Sequence, residues 1–141
     1  MRSYSTAILF LLPAGAVSKL HRIRYSEVWH HYMGDALVVV ELTAEGGEQR
    51  TVLGSRVTEG QQLQHVVPGN RWFGAELEAS AGQRYRRVPR WVGHTLVCQH
   101  GYALVGCTVA PGFDFQDFTM GSRDELLSAF PSHAETVKRL T

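Results

Sequence analysis

Apolar positions along the 141-residue chain recur on every second residue or in short unbroken runs. That is the spacing of strands, not of helices. Residues 4–12 and 36–43 are dense in aliphatic side chains, whereas 17–24, 27–33, 49–53, 62–67, 71–78 and 102–110 mostly alternate. Turn formers separate them: Pro13-Ala14-Gly15, Gly34-Asp35, Gly46-Gly47, Pro68-Gly69-Asn70 and Pro111-Gly112. Short strands at this spacing predict one all-β domain over 1–141, a sandwich or a closed barrel, with no βαβ units. The pattern changes only near the end. Ser122 with Glu125 forms a capping box ahead of Leu126, Leu127 and Phe130, so a short helix is expected there. Pro131 should stop it, and residues 133–140 read as a second short helix.

Composition narrows the function classes. The chain is 44% hydrophobic and 19% charged, with a net charge of +1, so no overall field favours nucleic acid or an anionic membrane. Two cysteines, Cys98 and Cys107, make no disulfide framework, and a reducing cytoplasm is the expected compartment. The apolar stretch 7–12 followed by Ala14-Gly15-Ala16 has features of a cleaved leader. Pro13 interrupts it and Gly15 opens a motif, so it is read as a strand. Between residues 79 and 113 there is no acid, while Arg84, Arg86, Arg87 and Arg90 alternate with Tyr85 and Trp91. Four arginines in a nearly neutral chain are read as a solvated segment, not a nucleic-acid footprint. There is no G-x-S-x-G elbow, phosphate-binding loop or dinucleotide fingerprint.

One spacing carries more information. Gly15 is followed by five residues and His21, then by Ile23, Glu27 and, six residues further on, Gly34. This resembles the first motif of the cupins, G-x5-H-x-H-x3-E-x6-G, with Ile23 in place of the second histidine. The segment from Pro68 to Phe73 resembles the second motif in outline, with Phe73 where the family's last metal histidine stands. Arg2 to Ile8, Ser26 to His30 with Tyr32, Leu104 to Phe115, Phe130 to His133 and Arg139 to Thr141 are similar to the fifth cupin domain family. That resemblance implies a jelly-roll barrel with an apolar, partly polar cavity, poor in metal, usually dimeric, and shaped like the sugar-nucleotide epimerase cupins. Members of that family carry a further stretch ahead of the point where this chain begins. A missing first strand and an exposed edge are therefore expected.

His21 and Glu27 are the candidate catalytic pair. Parity puts His21 and Ile23 on one face of a strand, and the turn at Tyr25-Ser26 brings Glu27 back beside the imidazole. The two could act as general acid and base, be the remnant of a metal site, or simply satisfy one another in the interior. Trp29, His31, Phe73 and Phe113 are the candidate ligand-binding residues, since aromatic walls with a few polar groups suit a sugar-like molecule. Trp72 and His30 have the opposite parity and are assigned to packing. A divalent metal would need His21, Glu27 and His31, with His65 nearby, because Ile23 and Phe73 remove two usual ligands. His94, Cys98, His100 and Cys107 match no zinc spacing. The expected function is therefore a metal-independent isomerase, epimerase or lyase on a small carbohydrate-like or nucleotide-linked molecule, needing no cofactor. A non-catalytic ligand-binding cupin is the alternative, and a metal-dependent oxygenase the second. The expected partners are a small-molecule ligand and a second copy of the chain, with neither nucleic acid nor membrane.

Overall fold

The computed structural model describes residues 2–78 and 101–141. The arginine-rich stretch and the expectations for His94, Cys98 and His100 lie outside those residues. Nine strands are formed among the described residues: β1 (Thr6–Pro13), β2 (Val17–Ile23), β3 (Glu27–Gly34), β4 (Leu37–Leu42), β5 (Glu48–Leu53), β6 (Gln64–Val67), β7 (Trp72–Leu77), β8 (Tyr102–Val109) and β9 (Phe118–Met120). Helices α1 (Arg123–Ala129) and α2 (Ala134–Arg139) follow. The sequence pattern located every strand but β9. That strand is three residues long, too short to show an alternation, and is held by pairing to β2.

The strands make two antiparallel sheets, one ordered β1-β8-β3-β6 and the other β5-β4-β7-β2-β9. The all-β jelly roll is therefore present, but the barrel is not closed. Among the described residues no named strand of one sheet pairs with a strand of the other, and the two pack as a sandwich. At one corner an isolated bridge between Leu53 and Gln62 draws them together.

The core between the sheets contains Leu12, Ile23, Leu37, Val39, Val67 and Val105, together with Trp29 and Phe73. A second cluster lies outside the five-stranded sheet, where Leu126, Val137 and Leu140 of the C-terminal segment cover Leu20, Val38, Val40 and Leu42. Strand β4 is thus buried on both faces, which explains why it reads as an unbroken aliphatic run. Trp72 belongs to this outer cluster, in keeping with its parity. The capping box is not made. Ser122 occupies the cap position, but its side chain accepts no hydrogen bond, and the helix starts on the backbone bond from Leu126 N–H to Ser122 O. Asp124 and Glu125 in the first turn still complement the helix dipole.

Both ends of the glycine motif are turns with positive φ, Gly15 at 83° and Gly34 at 94°. Gly34 is also sterically required. A Cβ there would stand 2.2 Å from the carbonyl oxygen of Tyr102. The apolar N-terminal segment is strand β1, paired along its length with β8 and forming an edge of its sheet.

Candidate functional site

The register of the two sheets stacks two facing rows of side chains. In the four-stranded sheet Trp29 stands opposite His65 on one side and Cys107 on the other. In the five-stranded sheet Phe73 stands opposite Glu41 on one side and His21 on the other. Residues directly paired in an antiparallel ladder share a face. The rows meet across the interior, with Trp29 and Phe73 packed edge to face at 6.3 Å and His65 Nε2 2.6 Å from Glu41 Oε1. One layer of the sandwich thus holds six side chains, apolar at its centre and polar toward its ends.

His21 is set by an irregularity in β2. The register shifts between Ser18 and His21, so Val17 and Leu20 both face the helices while His21 turns inward. Its Nδ1 donates to the carbonyl of Lys19 at 2.6 Å. The ring lies against Phe73, 4.2 Å between centroids, and Phe118, 5.4 Å. Burial lowers the His21 pKa from its ordinary 6.5, and the bond to the Lys19 carbonyl opposes that only in part. The imidazole is therefore neutral at pH 7, with Nδ1 protonated and Nε2 carrying the lone pair.

Glu27 opens β3 and is 8% exposed. Burial pushes its carboxyl up to about 7, against the opposing hydrogen bond from Cys107. Burial, together with the neighbouring carboxylate, keeps the Cys107 thiol protonated well above its usual range, so it is a donor here and not a nucleophile. No hydrogen bond or ion pair joins His21 to Glu27 among the described residues. Each has its own partner: the Lys19 carbonyl for His21 and the Cys107 thiol for Glu27.

Trp29 and Phe73 come together in the core between the sheets, where they are 1% and 0% exposed. Trp29 Nε1 is buried with no hydrogen-bond partner among the described residues. Phe113 is half-buried at the edge of this core and reaches the site through Phe118, 6.1 Å away. Its own amide donates to Thr6 Oγ1. His31 faces inward, yet its Nε2 donates to the carbonyl of Asp35 at 3.1 Å. Four residues of strand separate it from Glu27, roughly 13 Å at 3.3 Å per residue. His21, Glu27 and His31 are not assembled as a ligand set, and no three metal-capable side chains are grouped among the described residues. With Ile23 and Phe73 in the other family positions, the described residues here do not fit a divalent ion. His30 is structural, bonded to Thr108 Oγ1 at 2.7 Å and stacked on Tyr32.

Sequence reasoning missed Glu41 and Arg71. Glu41 has no solvent exposure, and its carboxylate is held by His65 and by Arg71 Nη1 at 3.2 Å. The signal was a single acid in the aliphatic run from Leu37 to Leu42. An ionised group buried in such a run requires partners.

The model of the cupin superfamily family designated DUF985 matches residues 1–121. A solved structure of a Shewanella oneidensis protein is 31% identical, covers 99% of this chain and 76% of its own, and superposes with a TM-score of 0.82. A hypothetical protein from Leishmania major is 29% identical over 99% of this chain and 77% of its own, with a TM-score of 0.79. A dTDP sugar isomerase from Desulfovibrio desulfuricans shares the fold at 13% identity, covering 93% and 71%, with a TM-score of 0.60. No curated protein matches the chain. No helix among the described residues is long and apolar enough to cross a membrane.

Proposed function

The chain belongs to the cupin superfamily, in the family designated DUF985, and on that premise we propose that it takes a small carbohydrate-like ligand between its sheets and moves a proton on it without a metal. The observation that carries this is an acid and a base at inward positions of two strands, one in each sheet. Glu27 has a carboxyl near 7, and His21 is held neutral with Nε2 available. Groups whose proton affinities lie close to working pH are the effective proton carriers. His21 Nε2 would take a proton from a carbon beside a carbonyl while the Glu27 O–H hydrogen-bonds the carbonyl oxygen. Return of the proton to the other face gives an epimer, and return to another carbon gives an isomer.

The structural neighbour that acts on a dTDP sugar makes thymidine diphosphate sugars the first probes, followed by sugar phosphates and oxo-acids. Incubation in deuterated water, read by NMR, detects proton transfer even where substrate and product are the same. Deuterium is expected to enter one carbon–hydrogen position. His21→Asn and Glu27→Gln should each slow that entry by about 100-fold or more. Unchanged exchange in both variants would refute the assignment.

A second reading is favoured by one observation: His21 and Glu27 share no hydrogen bond, and each is satisfied locally. In that reading the domain binds a ligand without transforming it. A probe that raises the melting temperature but never gains deuterium would establish this alternative.

A further inference from the structure

The end of β2 has two faces. His21 and Ile23 turn toward the core, and the exposed Arg22 takes the opposite face, its Cζ 4.8 Å from the ring centroid of Trp72 in the outer cluster. Arg22 pairs with Thr119 and Ile23 with Phe118 on β9, and the next step is kept as well, since the Arg24 amide donates to the Asp117 carbonyl at 3.1 Å. Residues two apart on such a path share a face at roughly 6.6 Å. Arg24 is also exposed, and its Cζ stands 5.6 Å from the ring centroid of Tyr25. Every other arginine among the described residues is paired with a carboxylate or, for Arg123, donates to Thr141 and the Lys138 carbonyl. Among the described residues the side chains of Arg22 and Arg24 make no hydrogen bond or ion pair. The Asp117 carboxylate is already taken by Arg2, and the Thr119 hydroxyl facing Arg22 has no partner among the described residues. A guanidinium lying on a ring is held in place while its N–H edge stays free. Two such forks on one strand suit the oxygens of phosphate groups, which they can bond in pairs. Nucleic acid and membrane surfaces need a longer stripe of cations than two.

We propose that Arg22 and Arg24 form a binding site for the diphosphate group of a small ligand on the outer side of the five-stranded sheet. Each guanidinium donates to one phosphate, with Trp72 and Tyr25 as the platforms under the two forks and the Thr119 hydroxyl as a further donor. The site lies across the sheet from His21 and does not depend on the proton-transfer reading.

The test is titration of the labelled full chain with inorganic pyrophosphate, following the arginine Nε–H resonances by NMR at an ionic strength held constant with sodium chloride. Arg22 and Arg24 should move along a single saturation curve, and inorganic phosphate should bind the same pair more weakly. Arg22→Gln and Arg24→Gln should each weaken pyrophosphate binding by about 10-fold, the lower end for a hydrogen bond to a charged group. Arg56→Gln removes the same charge from an arginine already paired with Glu59, and should leave the binding unchanged. Arg22→Lys keeps the charge without the fork and should recover only part of the affinity. The proposal is overturned if pyrophosphate moves neither arginine or only one of them, if Arg56→Gln weakens binding as much as Arg22→Gln, or if Arg22→Lys binds as tightly as the wild type. Vesicles of phosphatidylcholine with phosphatidylglycerol and a single-stranded oligonucleotide test larger phosphate carriers. Either one moving the pair where pyrophosphate does not would overturn the small-ligand assignment.

Discussion

Replacing Glu27 by Gln separates the physics of this interior from its biology, because it needs no substrate. The carboxyl is raised from its ordinary 4.5 to about 7 in the folded chain. Unfolding returns it to the lower value. Below pH 4.5 both states are protonated, and the group costs nothing. As pH rises from 4.5 through 7 the unfolded chain releases the proton first, so stability falls, and above pH 7 the loss levels off. The displacement corresponds to a full loss of about 3 kcal/mol, of which about 2.5 kcal/mol falls between pH 5 and pH 8. Glutamine keeps the shape, keeps an oxygen for the Cys107 thiol and has no proton to lose. Glu27→Gln should therefore be more stable than wild type by about 1 kcal/mol at pH 5 and by about 3 kcal/mol at pH 8. Urea titration at the two pH values reads this as an upward shift of the midpoint by roughly 1–2 M at pH 8. His21 titrates in both proteins, so its contribution cancels in the difference. A stability difference that is the same at pH 5 and pH 8 would show that Glu27 is not buried as a near-neutral acid. Equal or lower stability of the variant at pH 8 would do the same.

His21 should show the opposite sign. Its pKa is lowered on folding from 6.5, so the unfolded chain takes up the proton first and stability is lost as pH falls below about 6.5. His21→Phe, whose ring fits between Phe73 and Phe118, should flatten the fall in melting temperature between pH 7 and pH 5; an unchanged slope would contradict the burial of the imidazole. Gly34→Ala combines a φ of 94° with a clash at 2.2 Å against backbone, while Gly15→Ala meets nothing within 4 Å. The first should cost about 3 kcal/mol or more and the second about 1 kcal/mol, and equal midpoints in urea would disprove the steric argument. Among the described residues β1 is an edge strand, and it carries exposed Ile8, Leu9 and Leu11. A twofold dimer through this edge is expected by light scattering, and a monodisperse monomer would refute it.

Alternation is a local property, and the sequence by itself determined what depends on it. The faces of β3 and β7 could be read one residue at a time, which put Trp29, His31 and Phe73 inside and Trp72 and His30 outside. The turns at Gly15, Gly34 and Gly46 were legible for the same reason, since their chemistry lies in a few adjacent residues. The tertiary structure decided everything that depends on two strands meeting. His21 and Glu27 are close in sequence, but the turn between them leads from one sheet to the other, and each has a separate partner. His65 and Glu41 are 24 positions apart and belong to different sheets, and only the packing of the sandwich brings them to 2.6 Å. The irregularity in β2 that turns His21 inward breaks the very periodicity from which its direction would be read. The barrel was left open for a related reason: strand spacing specifies how many strands can pair, whereas closure is set by twist and shear summed over all of them.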